Sequence, residues 1–267
     1  MPHFSEPLVR LLAFGVIFSA IAIFELVSPR LERDEMRGAL KSRRWVTNLS
    51  ILLLSSLALR IIFPLAAVGT ALWASSKGYG LFNAVPLPAG VAGILSFVIL
   101  DFAIWLEHVA SHKVPLFWRF HRMHHADTGF DVTTALRFHP AEILVSMLWK
   151  AAIITLIGAP AFSVLIFEVV LNGTSMFNHA NIGLPKKMER RVRAVIVTPD
   201  MHRIHHSIIR LETDSNYGFN FSFWDRLFRT YNDRPAAGET GVEIGLPAWR
   251  DTAPSGLLWS LLLPFRK

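Results

Sequence analysis

The stretch VPLPAGVAGILSFVILDFAIWLEHVASH, residues 85–112, joins an apolar run to two histidines that lie four positions apart. The run at residues 85–106 is long enough to cross about 30 Å of hydrocarbon as a helix. Four residues on a helix turn through about 400°, so the imidazoles of His108 and His112 point from one helix face and can bind one ion. The stretch therefore predicts a membrane helix that ends in metal ligands.

Three further apolar runs flank this stretch. Residues 8–27 are long enough to form one span. Residues 46–74 contain Pro64 and form either one tilted, kinked span or two shorter segments. Residues 143–177 are interrupted by Gly-Ala-Pro at 158–160, which predicts a helical hairpin that enters and leaves on the same side.

The composition excludes several classes of protein. Of 267 residues, 52% are hydrophobic and 18% are charged, against roughly 25% charged residues in soluble domains. The absence of cysteine excludes disulfides, Cys-ligated zinc, iron–sulfur clusters and thiol nucleophiles, so a metal must be bound by His, Asp or Glu. The net charge of +7 suits an anionic membrane surface, and we expect no nucleic-acid partner because no base-stacking motif accompanies the basic residues at 186–193.

Basic residues predict the orientation, because short cytoplasmic loops carry an excess of Lys and Arg. The first loop, residues 29–44, holds six basic residues, which are Arg30, Arg33, Arg37, Lys41, Arg43 and Arg44. The loop at residues 75–84 holds only Lys77. With a single crossing by residues 46–74, all histidines beyond position 100 share the cytoplasmic side, whereas two crossings would place the basic C-terminal part outside.

The predicted fold class is therefore an all-α integral membrane protein, with four to five membrane helical segments and a cytoplasmic helical cap that carries the histidines. We expect the inner membrane of a bacterium or the endoplasmic reticulum membrane of a eukaryote. The expected organisation is an N-terminal set of spans at residues 1–100, a catalytic domain at 101–235 and a C-terminal tail at 236–267. Within the tail, residues 257–265 are apolar but too short to span, which suits an interfacial segment.

Two His-x-x-His-His motifs carry the chemistry. They are FHRMHH at residues 120–125 and MHRIHH at residues 201–206, 81 positions apart. Packing does not need adjacent histidines twice, whereas neutral imidazoles that share metals stabilise such a cluster. With the pair in WLEHVASH, and with His179 as a further candidate, the donors exceed what one ion binds, so two ions are implied. Imidazole suits Zn, Fe, Cu and Ni, and the position of the motifs beside apolar spans favours oxidative iron chemistry on a lipid.

Residues 101–231 resemble the fatty acid hydroxylase and sterol desaturase superfamily. The resemblance includes TALRFHPAE at 134–142, TPDMHRIHH at 198–206, Asp-x-Asn-Tyr-Gly at 214–218 and WDRLFRTY at 224–231. It implies a helical membrane fold capped by a cytoplasmic di-iron site that activates O2 to hydroxylate, desaturate or cleave a lipid. The ligands that it implies are His108, His112, His121, His124, His125, His179, His202, His205 and His206.

Two positions depart from the superfamily pattern. Val109 follows His108 where an Arg is common, so the contact of that Arg is absent or is supplied by Arg122. Ser175 stands where the branch that acts on sphingolipid acyl chains often has a histidine, four positions before His179. The second departure weakens an assignment as a fatty acid 2-hydroxylase and leaves the metal site unaffected.

Residues that orient the ligands are predicted from the rule that the free ring nitrogen of a metal-bound histidine donates to a carboxylate or carbonyl. Asp101 lies seven positions before His108, on the same helix face, and a carboxylate inside a span is a functional hypothesis by default. Four further candidates are His139, Asn178, Asp200 and Asp225. Thr198 and Pro199 are expected to start the helix that bears His202.

The expected function is that of a membrane-bound non-haem di-iron oxidoreductase that uses O2 to hydroxylate or desaturate a lipid. No haem, flavin or nicotinamide motif accompanies the histidines, so we expect an external electron donor, a ferredoxin or a cytochrome b5-like protein with its reductase. Two alternatives stay open, a lipid ether-cleaving monooxygenase and a membrane metal transporter or metal-binding protein. Transport ligands usually lie near the bilayer midplane, whereas these motifs lie outside the apolar runs.

Overall fold

The computed structural model describes residues 6–32, 38–85 and 87–266, and in these residues the fold is entirely helical. Two isolated β-bridges, Ile196 to Phe221 and Ser207 to Ile244, are the only extended pairings in the described part. The helices are α1 (Glu6–Val27), α2 (Gly38–Ile62), α3 (Ala66–Ser76), α4 (Leu81–Ala84), α5 (Ala89–Lys113), α6 (Pro115–His125), α7 (Pro140–Ile157), α8 (Ala161–Asn178), α9 (Lys186–Val192), α10 (Pro199–His205), α11 (Arg210–Thr213), α12 (Phe223–Leu227) and α13 (Leu257–Leu262).

Five segments are long and apolar enough to cross a membrane. They are α1, the segment Leu40–Ala84, α5, α7 and α8. Large apolar side chains on their outer faces, such as Leu53, Ile61 and Leu156, are about two-thirds exposed or more, a surface that suits lipid rather than water. The prediction of an all-α membrane fold is thereby confirmed, and the side on which the cap lies stays a prediction.

The second apolar run divides into α2 and α3. Helix α2 ends just before Pro64, because proline lacks an amide hydrogen and cannot continue a helix. The run begins near the cap, where Arg44 contacts Asp127, and it ends at the opposite end of the bundle, where Gly80 packs against Gly158. Because its two ends lie at opposite ends of the bundle, this geometry favours the single crossing.

The predicted hairpin consists of α7 and α8, joined at Gly158. The glycine has a φ of +68°, the left-handed conformation that commonly ends a helix. Around the hairpin lies the main apolar core, formed by buried side chains of α3, α5, α7 and α8, among them Leu100, Ile154 and Phe167. The hairpin therefore brings the end of α8 back to the same end of the bundle as the start of α7.

The sequence predicted Arg44 to be a solvated loop residue, but in the structure it is not. Helix α2 begins at Gly38, so Arg44 lies on the helix and is fully buried. Its Nε atom lies 2.6 Å from Asp127 Oδ1, and its Nη1 atom lies 3.0 Å from Asp131 Oδ2. Burial and this pairing make Arg44 an internal tie between α2 and the segment after α6. Arg33 and Arg37 of the same predicted loop lie outside the described residues.

The C-terminal segment packs on the cap end of the bundle. Leu263 is buried in a cluster with Ile51 of α2 and Met123 of α6. Arg122 donates to the carbonyls of Leu263 and Arg266 at 2.7 and 2.6 Å. Arg122 is thus engaged by the C-terminal segment, and in the described structure it forms no hydrogen bond near Val109, so it does not replace the Arg that is common there. The proposed interfacial position of this segment stays a prediction.

Substitution of Gly80 by Ala tests the contact between the α3–α4 turn and the hairpin. Gly78 and Gly80 both have positive φ angles, +67° and +98°, so an Ala at either position strains the backbone. Gly80 also has a ψ of 159°, in a region that is essentially confined to glycine and costs another residue about 1–3 kcal/mol. A Cβ on Gly80 would overlap the backbone of Gly158, whereas one on Gly78 meets open space. We expect Gly80→Ala to be about 1–3 kcal/mol more destabilising than Gly78→Ala, with a melting temperature several degrees lower. Equal melting temperatures of the two variants would contradict this packing.

Candidate metal centre

Four chain segments converge on the candidate site. Helix α5 ends at Lys113, and after an extended Val114 the chain starts α6 with Pro115 at its first turn, a favoured position for proline. This sharp corner turns α6 back over the last turns of α5. On α10, Thr198 caps the helix by accepting from Met201 N at 3.3 Å, with Pro199 in the first turn, as the sequence predicted. His179 follows the last turn of α8.

The nine predicted histidines form two adjacent groups of ring nitrogens. Within each group the donor atoms all lie within 4.8 Å of one another, and every side chain is buried. The first group is His108, His112, His121, His125 and His205. The second group is His124, His179, His202 and His206. The structure therefore brings together all nine residues that the motif spacing singled out, and it divides them between two sites.

Backbone carbonyls fix the orientation of three rings. The Nδ1 atoms of His108, His179 and His205 each lie 2.7 Å from a carbonyl oxygen, of Tyr217, Ser175 and Ser215 respectively. A carbonyl oxygen only accepts hydrogen bonds, so each of these Nδ1 atoms carries the ring proton. The Nε2 atom of each ring is consequently a lone-pair donor directed into its group.

Carboxylates lie beside two further rings. His121 Nδ1 is 2.6 Å from Glu142 Oε1, and Glu142 belongs to the first turn of α7. His112 Nδ1 is 3.5 Å from Asp214 Oδ1. A carboxylate on the outer nitrogen orients a ligand and raises its basicity. The helical hairpin therefore contributes to the site through Glu142, although it supplies no ring of the first group.

The inner nitrogens face one another in a way that fits a shared cation. His108 Nε2 and His121 Nε2 are 3.2 Å apart. The Tyr217 carbonyl keeps the proton of His108 on Nδ1 and the carboxylate form of Glu142 keeps that of His121 on Nδ1, so in this form neither inner atom has a proton to donate. In the second group His179 Nε2 lies 3.1 Å from His124 Nε2 and 3.0 Å from His202 Nε2, and its single lone pair cannot accept from both. Two metal ions, one per group, would satisfy these atoms together.

Burial also favours the neutral, metal-binding form of the rings. Desolvation lowers the pKa of His121 to about 3 and that of His179 to about 4. Burial, with neighbouring imidazoles as the second cause, lowers the pKa of five further rings well below the ordinary value for histidine, those of His124, His125, His202, His205 and His206. At neutral pH these imidazoles are uncharged, which is the state that binds a metal.

The predicted orienting residues have other partners. Among the described residues, none of the five forms a hydrogen bond with one of the nine rings. Asp101 accepts from Trp224 Nε1 at 2.8 Å; it shares a helix face with His108, but seven residues along a helix are about 10 Å, too far for its carboxylate to reach the ring. His139 caps α7 by accepting from Ala141 N, and Asp200 pairs with Arg30 at 3.4 Å. In the described structure these residues do not contact the ligand rings directly, and an orienting role through other groups stays a prediction.

Asp225 and Asn178 contact the backbone segment that orients a ligand, and not a ligand ring itself. Asp225 accepts from the backbone amides of Tyr217 and Gly218, both at 2.9 Å, and burial raises the pKa of this carboxyl group. Asn178 donates to the carbonyl of Phe219 at 2.7 Å. Together they hold the backbone segment whose Tyr217 carbonyl orients His108.

Sequence reasoning missed the partners that do contact the rings. Glu142 lies within the motif TALRFHPAE, three positions after His139, so its signal was present in a matched element. The carbonyls of Ser175, Ser215 and Tyr217 carry no side-chain signal at all. Their roles depend on which backbone segments the fold brings beside the rings.

A cavity of about 260 Å³ opens from the first group into the helical bundle. His108 and His121 form its floor, and side chains of α2, α5, α7 and α8 form its walls. Leu52, Ile104 and Met147 are among the apolar residues that line it. The candidate metal centre is thus reached from the interior of the membrane-spanning part.

Comparisons with known proteins agree with this site. A family model described as fatty acid hydroxylase matches residues 93–230, which include all nine histidines. The chain belongs to the fatty acid hydroxylase family. The superfamily resemblance inferred from the motifs is therefore confirmed, and no solved structure matches this family member.

Three relatives illustrate the range of this family. The chain is 28% identical to ornithine lipid hydroxylase OlsE of Rhizobium tropici over 67% of its length and 52% of that protein. It is 26% identical to the human alkylglycerol monooxygenase over 58% of its length and 34% of that protein. With cholesterol 25-hydroxylase-like protein 1, member 2, of Danio rerio it shares 24% identity over 82% of its length and 83% of that protein. The chain thus spans about half or less of the first two relatives.

Replacement of Glu142 tests which carboxylate orients the ligands. We expect Glu142→Ala to weaken metal binding about 10- to 100-fold, since the outer nitrogen of His121 loses its acceptor. Asp101→Asn is the matched control, because its side-chain oxygen can still accept from Trp224. Competition of each purified variant with a metallochromic chelator measures the affinity. If Asp101→Asn weakened metal binding and Glu142→Ala left it unchanged, Asp101 and not Glu142 would be the carboxylate that orients the ligands.

Proposed function

We propose that this protein is a membrane-bound non-haem di-iron oxygenase that uses O2 to hydroxylate or desaturate a lipid. The observation that carries the proposal is the pair of adjacent, buried histidine groups, the first of which lies at the floor of a cavity inside a bundle of apolar helices. Membership of the fatty acid hydroxylase family supports it. Two relatives are named as a lipid hydroxylase and a monooxygenase, which are reactions of the same class.

The donor set supports two transition ions held by histidine alone. Five imidazoles form one group and four form the other, and imidazole suits iron as well as zinc or copper. Bound iron would supply the activation of O2 that attack on an unactivated C–H bond requires. The groups need no cysteine, in keeping with a sequence that contains none.

The residues around the groups have separate tasks in this reaction. The acceptors on the outer nitrogens keep the rings in one orientation, and the apolar part of the cavity wall, such as Ile104 and Met147, excludes water beside His108 and His121. Hydroxylation converts R–H, O2, two electrons and two protons into R–OH and water. The two electrons must come from outside this chain, and we propose a ferredoxin or a cytochrome b5-like protein with its reductase, acting on the cytoplasmic side.

Two alternatives use the same site differently. A lipid ether-cleaving monooxygenase would hold the carbon next to an ether oxygen at the floor of the cavity, and the similarity to alkylglycerol monooxygenase supports this variant. Metal transport is less well supported. Transport ligands typically lie near the bilayer midplane on broken helices, whereas seven of these nine ligands lie outside the candidate spans and the other two, His108 and His112, lie in the last two turns of α5.

Metal analysis of detergent-purified full-length protein, grown with iron-57, tests the proposal. We expect about two irons per chain, magnetically coupled in the oxidised Mössbauer spectrum. We expect His125→Ala, in the first group, and His124→Ala, in the second, each to lose about one iron and to abolish the O2-dependent lipid product while leaving ion flux into vesicles unchanged. His139→Asn is the control, because Asn is also a good helix cap and His139 contacts no ligand ring.

Two results would contradict an oxygenase. One is zinc without iron, even in anaerobic preparations. The other is a lipid product that His124→Ala forms at the normal rate. Loss of ion flux in the same variant would favour the transport alternative.

A further inference from the structure

Five charged side chains line the cavity above the histidines, on candidate membrane spans. They are Arg10, Glu107, Glu142, Lys150 and Glu168. Charged residues within spans are rare, pair with one another and mark the paths of substrates or ions. Glu142 is explained by its bond to His121, and the other four have no part in the metal centre.

Three of these residues form a buried ion cluster that joins α1, α7 and α8. Glu168 is 3% exposed. Its Oε2 atom lies 2.7 Å from Arg10 Nη1 and its Oε1 atom lies 3.2 Å from Lys150 Nζ. Both carboxylate oxygens are therefore occupied. Lys150 and Arg10 have further N–H groups beyond these bonds, because an ammonium carries three and a guanidinium five.

Glu107 supplies the opposite charge on the same cavity wall. It precedes the ligand His108 on α5, and its Oε2 atom accepts from Ser146 Oγ at 3.2 Å, its one side-chain hydrogen bond among the described residues. The cavity thus has spare cationic donors at Lys150 and a spare anionic acceptor at Glu107. Hydroxyl groups lie between them, those of Ser55, Ser56, Ser111 and Ser146.

An alkyl chain end does not suit such a wall. An alkyl chain in the cavity would displace water from the charged side chains without offering them new hydrogen bonds, which is unfavourable. Glu107 contacts Ser146, which lies four residues before Lys150 on α7, about 6 Å along the helix. A zwitterionic headgroup is of this size, so its two charges can meet both Lys150 and Glu107.

We propose that the cavity binds the headgroup of a zwitterionic lipid, with its anionic group at Lys150 and Arg10 and its primary ammonium at Glu107. This inference rests on the proposed lipid oxygenase and specifies its substrate class. The lipid then enters with its headgroup first, and the carbon nearest the histidines belongs to the headgroup side of the molecule.

Short-chain lipids with identical acyl chains test the proposal on the metal-loaded, full-length protein. The probes are the dihexanoyl forms of phosphatidylethanolamine, phosphatidylcholine, phosphatidylglycerol and glycerol. Phosphatidylcholine carries the phosphate anion and a quaternary ammonium that has no N–H group. Phosphatidylglycerol carries only the anion, and dihexanoylglycerol carries neither an anion nor an ammonium. At about a factor of ten for each charged hydrogen bond, we expect phosphatidylethanolamine to bind about tenfold more tightly than phosphatidylcholine and phosphatidylglycerol, and about a hundredfold more tightly than dihexanoylglycerol, in titration calorimetry.

Variants separate the two contacts. We expect Lys150→Met to weaken the binding of phosphatidylethanolamine and phosphatidylglycerol about tenfold, and Glu107→Gln to remove the preference for phosphatidylethanolamine over phosphatidylcholine. Lys77→Met, at an exposed lysine outside the cavity, should leave every affinity unchanged. Because loss of one partner destabilises a buried ion pair, the neutral double variant Lys150→Met with Glu168→Gln is measured as well. It should fold and should show the same loss as Lys150→Met.

Several results would overturn the inference. They are equal affinities for all four lipids in the unaltered protein, or affinities that the Lys150 and Glu107 variants leave unchanged. An O2-dependent product from dihexanoylglycerol at the same rate as from phosphatidylethanolamine also overturns it, while the oxygenase proposal stands. If the protein binds lipids with headgroup selectivity but holds no iron and oxidises no lipid, the headgroup site is supported and the oxygenase proposal is contradicted.

Discussion

Nine neutral imidazoles buried together impose the constraint on which the rest of this structure depends. A neutral ring directs its lone pair into the cluster when its other nitrogen carries the proton, and an acceptor on that outer nitrogen fixes this arrangement. The fold supplies those acceptors from several segments: the end of α8 for His179, the start of α7 for His121 and the segment after α11 for His108 and His205. The cap helices are short because each serves mainly to place two or three rings within reach of such an acceptor.

Polar networks attach the cap to the spans. Apolar contacts between membrane helices give little preference for one arrangement, because lipid is as apolar as a leucine side chain. Directional bonds fix the arrangement here. Arg44 ties α2 to Asp127 and Asp131, and Arg137 donates to the carbonyl of Met123 and to Asn48. Burial alone would raise the pKa of Asp127, but the charge and the hydrogen bonds of Arg44 outweigh burial and hold that pKa well below the ordinary value for aspartate.

The sequence was sufficient for features that depend on local pattern and insufficient for those that depend on tertiary neighbours. Length and hydropathy located the spans, helical spacing located eight histidines of the two groups, and the family resemblance supported the ninth, His179. Helical periodicity predicted the helix face on which Asp101 lies, but not that its carboxylate is too far along the helix to reach His108. The positive-inside rule counted Arg44 as a loop charge, because a count of basic residues cannot detect burial. The carbonyl acceptors were beyond prediction, because any residue has a carbonyl and only the fold selects one.

The charged wall and the histidine groups belong to one cavity, which separates recognition of a lipid from attack on it. Apolar walls alone select weakly, since one methylene in a hydrophobic pocket changes the binding free energy by only about 1–3 kcal/mol. A buried site built to bond polar groups discriminates more strongly, because an analogue that lacks them leaves Lys150 or Glu107 without a partner. Fixing a headgroup at Lys150 and Glu107 also fixes which carbon reaches His108 and His121. Position of attack and choice of lipid would then follow from the same few charges.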